Sequence, residues 1–342
     1  MTLHRTVWIV VAITLLLNPL AAAGNREKDS PLVVYAYDTF VGDWGPGPSV
    51  VTAYEAAYGT KVRLVGSGDA VSMMNRLISE GASTPADVVL GISDDMASQI
   101  LKTDLLRPYK SPNLAHIPAF LHFDEHDRLL PFDYGNFAFI VDSERLDKSL
   151  WPASLADLAS PRYKGKLILI DPRTSAVGLG LMLWTIEEFG EDGWLVWWQQ
   201  VKANALTITD GWSSAYGLFT EGEAPLVISY TTSVVYHVLS EHTTRYQALL
   251  FPSGHQATIE GVGILASSKK GKEAERFVDF LLSEAQEQIA VANSMYPANE
   301  ATVLPDAFDW APKPKRSTTV DRARLEKNLE RWLTEWTEVM SR

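Results

Sequence analysis

Cysteine is absent from the 342 residues of this chain. Disulfides, thiol nucleophiles, cysteine-ligated zinc and a lipid attached through cysteine are therefore excluded. Basic residues are also scarce, because 30 Lys and Arg stand against 42 Asp and Glu and give a formal net charge of −12. With this acidic balance and both signs of charge mixed along the chain, nucleic acid and anionic membranes are poor partners. A cationic ligand is compatible with the charge but is not required by it.

Long apolar runs are missing as well, apart from one short segment at the amino terminus. A brief positively charged start precedes an apolar stretch over residues 7–17, and three alanines ending at Ala23 supply a small-residue cleavage site. The stretch is too short for a membrane anchor, which needs about 20 apolar residues. The pattern predicts a secretory signal peptide, residues 1–23, that is cleaved after Ala23. The remaining chain is long enough for two domains with sizeable cores.

The first part of the mature chain alternates short apolar runs with helical stripes. Strands are predicted over residues 32–37, 61–65 and 87–92. Helices are predicted over residues 48–58 and 71–80, and each is followed by a glycine that suits a helix C-cap. This alternation is typical of a parallel α/β sheet.

The same alternation starts again in the middle of the chain. Further strands are predicted over residues 137–141, 166–170, 225–230 and 261–266. Further helices are predicted over residues 177–189, 193–201 and 273–289. Two α/β units predict two lobes with a cleft between them, in which ligands bind beyond the carboxyl ends of the strands.

The last predicted helix, residues 321–340, is amphipathic. Its apolar stripe consists of Leu325, Leu329, Trp332, Trp336 and Val339. A helix that binds a partner or a membrane surface would have such a stripe too. Its charges are of both signs, however, and this favours docking onto the protein's own body.

Aromatic and polar residues are concentrated in the loops that follow the predicted strands. In chain order these loops contain Tyr37, Trp44, Asp69, Ser175, Trp212, Tyr230 and Tyr236. Flat aromatic faces with a carboxylate predict a pocket for a flat cationic ring, since the faces attract the cation and the acid accepts hydrogen bonds from an amine. Asp69 and Ser175 could equally cap the helices that follow them. Free N–H groups at a helix start also suit a phosphate.

Catalytic motifs are weak in this sequence. The segment from His122 to His126 matches the zinc motif H-x-x-E-H, but it is predicted to be a polar turn and not the helix that this motif needs. His237 and His255 are isolated and are predicted to be structural, hydrogen-bonded residues. No nucleophile elbow, P-loop or dinucleotide-binding motif occurs. We therefore expect no catalytic residue and no metal site, and we do not expect an enzyme.

The strand-end loops also carry a family resemblance that runs over nearly the whole mature chain. Its blocks are residues 37–40 (YDTF), 43–48 (DWGPGP), 86–91 (ADVVLG), 131–135 (PFDYG), 171–175 (DPRTS), 178–180 (GLG), 211–213 (GWS), 215–219 (AYGLF) and 229–233 (SYTTS). In these blocks the chain resembles the thiamine-binding periplasmic proteins of bacterial ABC transporters. Several blocks in the same order are more specific than any one short motif.

The resemblance implies an α/β fold of the two-lobed periplasmic binding protein type (type II), with the ligand cleft between the lobes. We expect lobe 1 to comprise residues 24–136 with about 260–300 returning to it. Lobe 2 is then residues 137–259, and residues 301–342 pack as a helical segment. The implied ligand is thiamine, thiamine monophosphate or thiamine diphosphate. No cofactor is expected.

The same resemblance implies a location and a partner. The expected location is the periplasm, and the expected partner is the transporter permease in the inner membrane. We expect no nucleic acid partner, and we expect the chain to act as a monomer.

The resemblance also implies which residues meet the ligand. Asp69 and Ala70 would contact its aminopyrimidine side, and Ser175 and Ala176 its hydroxyethyl or phosphate end. The remaining wall would consist of Tyr37, Trp44, Trp212, Tyr230, Thr231, Thr232, Ser233 and Tyr236. Two positions depart from the family pattern, because Ala70 replaces a glycine and Ser294 replaces a tryptophan. The second change implies that one aromatic wall of the pocket is missing.

Two alternatives remain open. Relatives of this fold also bind ferric iron or other small solutes, but ferric binders use adjacent tyrosines, whereas Tyr230 and Tyr236 are six positions apart. A secreted enzyme acting on thiamine or on phosphate esters would need a nucleophile with a base, and there is no cysteine to serve as one.

Overall fold

The computed structural model describes residues 30–341, so the predicted signal peptide lies outside the described residues. From Leu32 onward the chain forms one compact unit. Among residues 30–341 there is no helix whose length and apolar character would suffice to cross a membrane.

The strands of this part of the chain join into a single mixed sheet. They are β1 (Leu32–Ala36), β2 (Val62–Gly66), β3 (Val88–Ser93), β4 (Leu106–Arg107), β5 (Leu130–Asp142), β6 (Leu167–Ile170), β7 (Ala205–Thr209), β8 (Leu226–Tyr230), β9 (Tyr246–Ala248), β10 (His255–Leu265), β11 (Tyr296–Pro297) and β12 (Ser317–Thr318). The main path through the sheet is β2-β1-β3-β10-β5-β8-β6-β7. β1 pairs in parallel with β2 and β3, and β6 does so with β7 and β8, as the α/β alternation predicts.

The helices lie mostly in the connections between these strands. They are α1 (Asp38–Val41), α2 (Gly47–Tyr58), α3 (Ala70–Glu80), α4 (Ala97–Leu101), α5 (Leu155–Leu158), α6 (Ala176–Val201), α7 (Trp212–Thr220), α8 (Val234–Ser240), α9 (Gly271–Leu281), α10 (Gln286–Asn293) and α11 (Arg322–Ser341). The predicted glycine C-cap of α2 is confirmed, because Gly59 has a φ of 68° and its N–H donates to the Glu55 carbonyl.

The long strand β5 belongs to both halves of the sheet. Residues 130–136 pair with β10, and residues 137–141 pair with β8. The first half of the sheet is therefore β2, β1, β3, β10 and the beginning of β5, and the second half is the end of β5 with β8, β6 and β7. β10 brings the chain back into the first half, antiparallel to both β3 and β5. The exact lobe boundaries remain a prediction.

One predicted helix is wrong. The apolar stripe over residues 273–289 indicated a single helix, but the structure has α9 and α10 with a turn between them. Side-chain amides hold the carbonyl groups at the break, since Gln286 Nε2 donates to the Leu281 carbonyl at 2.7 Å and Asn299 Nδ2 to the Leu282 carbonyl at 2.9 Å. These two contacts satisfy acceptors that a continuous helix would otherwise use.

The carboxyl-terminal helix α11 docks on the protein's own body, as predicted. Trp332 and Trp336 of its apolar stripe are almost fully buried. On the polar side, Arg324 forms ion pairs with Glu187 and Glu191 of α6. α6 itself breaks at Gly190, whose φ of 69° lies in the left-handed region, so the two helices predicted there meet without a loop.

Candidate functional site

A cavity of about 390 Å³ lies at the carboxyl ends of strands from both halves of the sheet. Its wall includes residues that follow or end four of these strands: Tyr37 after β1, Ala176 after β6, Trp212 after β7 and Tyr230 at the end of β8. This is the location that the α/β rule predicts for a ligand. The other lining residues are Thr39, Trp44, Asp69, Ala70, Val177, Ser213, Tyr216, Gly217, Thr220, Ser233, Tyr236, Glu241, Glu260, Ala292, Asn293, Ser294 and Met295.

Three helix amino termini meet at the carboxylate of Asp69. Oδ1 accepts a hydrogen bond at 2.6 Å from the N–H of Ala70, at the start of α3. It also accepts one at 3.3 Å from the N–H of Ala176, at the start of α6. Oδ2 accepts from the Trp212 N–H at 3.0 Å and from the Ser175 hydroxyl at 2.8 Å. A carboxylate is well placed here, because helix amino termini carry partial positive charge and unpaired N–H groups.

The interpretation of Asp69 as a helix cap is thus confirmed, and the residue also caps two helices that are distant in sequence. Burial raises the pKa of Asp69, while hydrogen bonds from Trp212, Ser175 and Ala70 lower it, with a net rise. The resemblance placed Asp69 and Ser175 at different ends of the ligand. In the structure these two side chains contact each other, and the end of the ligand that each would meet remains a prediction.

Aromatic rings form much of the remaining wall. Trp212 stacks on Tyr216 with centroids 4.6 Å apart, and Trp44 lies 6.1 Å from Trp212. The indole N–H of Trp212 donates to Ser229 Oγ at 2.7 Å, which fixes the plane of the ring. Trp44 and Tyr236 are 58% and 44% exposed, so they present ring faces to solvent at the cavity.

A second acid, Glu260, lies in the wall, and a further acid stands beside it on the neighbouring strand. Glu260 of β10 stands directly opposite Asp133 of β5, and both are buried. The pKa of Glu260 is raised to about 7. Burial is the main cause and the negative charge of Asp69 adds to the rise, whereas a hydrogen bond with Tyr37 lowers the pKa. Burial and the charge of Glu260 raise the pKa of Asp133 well above its usual range. Asn293 Nδ2 donates to the Tyr37 hydroxyl at 2.8 Å and to Asp133 Oδ2 at 3.2 Å.

The cavity brings together most of the residues singled out from the sequence. Nine of them line it: Tyr37, Trp44, Asp69, Ala70, Ala176, Trp212, Tyr230, Ser233 and Tyr236. Ser175, Thr231 and Thr232 do not line it, because all three are fully buried behind the wall. Ser175 acts on the site through Asp69. The role of each of these residues toward a ligand remains a prediction.

Sequence reasoning missed Glu260. Its position in the strand HQATIEGVGIL was a signal that could have identified it. Acids are rarely buried in a strand unless they are paired or take part in a binding site. Tyr216 lay in a recognised block but received no role. Asn293 is the last residue of α10, and Ser294 is its C-cap with a φ of 51°.

Metal ligands are not assembled in the described part of the chain, where no group of three His, Asp or Glu residues is placed to hold an ion. The two isolated histidines are structural, as predicted. His237 contacts the Tyr216 hydroxyl and Glu241, and His255 contacts the Phe137 carbonyl and the Phe251 N–H. His122 lies at the end of a short 3-10 turn and not on an α-helix.

Comparison with known proteins supports the class of protein that the sequence predicted. Residues 83–328 match the family model described as bacterial extracellular solute-binding protein. A thiamine-binding periplasmic protein of Brucella melitensis is 38% identical over 323 residues, which are 94% of this chain and 95% of that relative. A solved structure described as a periplasmic thiamin binding protein superposes with a TM-score of 0.86 at 38% identity, over 92% of this chain and 97% of that one. The Fe(3+)-binding periplasmic protein of Serratia marcescens is more distant, at 24% identity over 80% of each chain.

A cavity at the strand ends of two α/β halves, in a chain with this match, defines a solute-binding protein with the two-lobed fold that the sequence predicted. Within this class, the chain belongs to the family of the thiamine-binding periplasmic proteins.

Proposed function

We propose that this chain is the periplasmic binding component of an ABC importer that takes up thiamine. It binds thiamine, and also its phosphates, in the cavity, and it delivers them to the permease in the inner membrane. The family relationship supports this function. The composition of the cavity wall supports it independently.

The observation that carries the proposal is the charge of the wall. Asp69, Glu241 and Glu260 line the cavity, whereas none of the described residues that line it is Lys, Arg or His. The rings of Trp44, Trp212 and Tyr230 also line it. Thiamine is a flat cation, and aromatic faces with nearby carboxylates attract such a cation without any covalent step.

A phosphate group would meet the three helix amino termini around Asp69. Such ends bind phosphate well, but here the Asp69 carboxylate already accepts their N–H groups. A phosphorylated ligand must therefore displace Asp69 or bind beside its negative charge. We accordingly propose that the chain binds thiamine more tightly than its mono- and diphosphate.

Binding proceeds by closure of the two halves over the ligand. Contacts between them are already present, since Ser72 N–H donates to the Thr174 carbonyl at 3.1 Å in addition to the Asp69–Ser175 contact. The proposed function includes no chemical change of the ligand, no cofactor and no second subunit. Residues 1–23 would serve as the export signal.

Calorimetric titration of refolded, ligand-stripped protein tests the proposal, with thiamine, both phosphates and ferric citrate as ligands. We expect saturable binding of thiamine, weaker binding of the phosphates and none of ferric citrate. Chromatography of the thiamine after incubation should show it unaltered. Binding of ferric citrate alone, or conversion of thiamine, would contradict the proposed function.

A further inference from the structure

The three acids that line the cavity in the described chain differ in how far solvent reaches them. Asp69 is buried, and its carboxylate accepts four hydrogen bonds from the chain itself. Glu260 is buried as well, and its Oε2 is sealed from solvent. The side chain of Glu241, in contrast, is 40% exposed. Glu241 is therefore the acid of the wall that a ligand can approach without displacing another contact.

A buried histidine holds Glu241 in place. Glu241 Oε2 lies 2.7 Å from Nδ1 of His237, and Nε2 of the same ring lies 2.9 Å from the Tyr216 hydroxyl. A carboxylate can only accept a hydrogen bond, so Nδ1 carries the proton, and Nε2 of the neutral ring accepts from the Tyr216 O–H. The imidazole is fully buried and packs against the rings of Tyr236 and Tyr246.

The same contacts connect Glu241 to the aromatic wall. Tyr216 lines the cavity and stacks on Trp212, with ring centroids 4.6 Å apart. The acid is thus joined through His237 and Tyr216 to the ring on which a flat ligand would lie. A group fixed in this way discriminates between ligands better than a mobile one.

The charge of Glu241 is not cancelled by a basic partner in the described chain. Burial lowers the pKa of His237, and the hydrogen bond with Glu241 opposes the fall only in part, so the imidazole is neutral at pH 7.5. Arg245, whose charge also acts on His237, forms its ion pairs with Asp142 and Glu144. Glu241 therefore adds a negative charge to the cavity wall.

The position of Glu241 does not favour the stability of its helix. It is the C-cap of α8, where its N–H donates to the His237 carbonyl. Helix carboxyl ends carry partial negative charge, so an acid is less favourable there than a neutral or basic residue. Since helix stability does not account for this acid, its anchored position at the cavity indicates a role toward the ligand.

We propose that Glu241 is the counter-ion of the ligand's charged ring, and that its carboxylate selects the thiazolium cation over a neutral ring of the same shape. This inference rests on the proposed function and names which of the three acids supplies the charge. A quaternary ring nitrogen has no N–H, so the attraction is Coulombic and requires a nearby charge but no hydrogen bond. His237 is the positioning residue that holds Glu241 at the wall.

Two ligands and one variant test the assignment at pH 7.5. The ligands are thiamine and its neutral isostere, in which a carbon atom replaces the quaternary nitrogen. We expect the parent protein to prefer thiamine, and we expect Glu241→Gln to reduce this preference by about three- to tenfold in calorimetric titrations. The amide oxygen of Gln can still accept from His237 Nδ1, so the substitution removes the charge and keeps the contact. The aromatic rings account for the preference that remains.

Glu221→Gln is the matched control. Glu221 is also the C-cap of a helix, α7, and it is exposed and does not line the cavity. Its substitution changes the net charge of the protein by the same amount and should leave the preference for thiamine unchanged. Salt gives a second measurement: between about 0.01 M and about 1 M salt the preference should fall in the parent protein, and it should fall less in Glu241→Gln.

The outcomes separate this inference from the proposed function. If the parent protein does not bind thiamine, the proposed function fails and the assignment of Glu241 fails with it. If the parent binds thiamine but Glu241→Gln changes the affinity for both ligands by the same factor, or changes neither affinity, only the assignment is wrong. An equal loss of preference in Glu221→Gln would also overturn it, because the effect would then come from net charge and not from a counter-ion at the wall.

Discussion

The Asp69 carboxylate accepts a hydrogen bond from the Ser175 hydroxyl at 2.8 Å, although 106 positions separate the two residues in the sequence. Asp69 precedes α3 in the first α/β unit, and Ser175 precedes α6 in the second. The contact therefore joins the two units at the cavity. Any opening of the cavity must break it, together with the bonds from Ala176 and Trp212.

Asp69→Asn should weaken thiamine binding by about 1.5–3 kcal/mol, the scale of hydrogen bonds to a charged group. The amide keeps one acceptor oxygen, so the N–H groups of Ala176 and Trp212 and the Ser175 hydroxyl can no longer all be satisfied. Calorimetry with thiamine measures the loss, and Ser175→Ala, which removes one donor, should show a smaller one. Unchanged affinity in a folded Asp69→Asn variant would limit Asp69 to helix capping.

Thiamine should quench tryptophan fluorescence, with Trp212 as a main reporter. Trp212 lines the cavity and stacks on Tyr216, so a bound ring would lie close to the indole. Trp212→Phe should lose much of the quench, which a fluorescence titration measures. Trp198 of α6, which is fully buried and is not among the lining residues, offers a control position. A quench that persists in full in Trp212→Phe would place that ring outside the binding site.

Ser294→Trp should tighten thiamine binding by about 0.5–2 kcal/mol, mostly through slower release. Ser294 lines the cavity and offers no aromatic face to a cation, and its hydroxyl has no partner among the described residues. Ser294→Gly is the control, because it relieves the φ of 51° without adding a ring. Stopped-flow release and calorimetry measure the effect. Weaker binding would mean that Trp44 or Tyr236 already covers the ring.

The stability of the protein should depend on pH through Glu260. Its pKa is about 7 in the folded protein and 4.5 ordinarily. Between these two pH values the folded state retains a proton that the unfolded state has lost. The contribution of Glu260 therefore falls as pH rises from about 4.5 to 7, by at most about 1.4 kcal/mol per pH unit. Glu260→Gln should flatten this slope.

Urea unfolding of parent and variant at pH 5 and pH 7.5 measures the difference. Burial lowers the pKa of His237 and His255, which gives an opposite slope near pH 6.5, but the two proteins share it. Equal slopes in parent and Glu260→Gln would show that Glu260 does not hold the proton in the folded protein.

The local elements could be predicted because local signals define them. Gly59 ends α2 where its left-handed conformation was expected, and the stripe of α11 buries Trp332 and Trp336. The break between α9 and α10 could not be predicted, because it depends on Asn299, a residue beyond the stripe that takes the Leu282 carbonyl. Side-chain contacts between distant residues leave no periodic trace in a sequence.

The site residues also divide into those that local sequence patterns predict and those that depend on long-range contacts. Residues at strand ends, such as Tyr37 and Trp212, were identified from the α/β pattern and from the family resemblance. Glu260 lies within a strand, and its importance depends on the register that sets it opposite Asp133. Register across an antiparallel pair depends on the whole sheet, so this acid pair became apparent only in the structure.

Strand β5 supplies residues to both halves of the sheet, and β10 returns to the first half from a later part of the chain. The first half is therefore built from two separate pieces of polypeptide, and the continuous piece that forms the second half lies between them in the sequence. A fragment cut between them would expose the unpaired edge of β3 or of β5, and open strand edges promote aggregation. A chimera that takes the second half from a relative must therefore be joined at two points, one within β5 and one before β10.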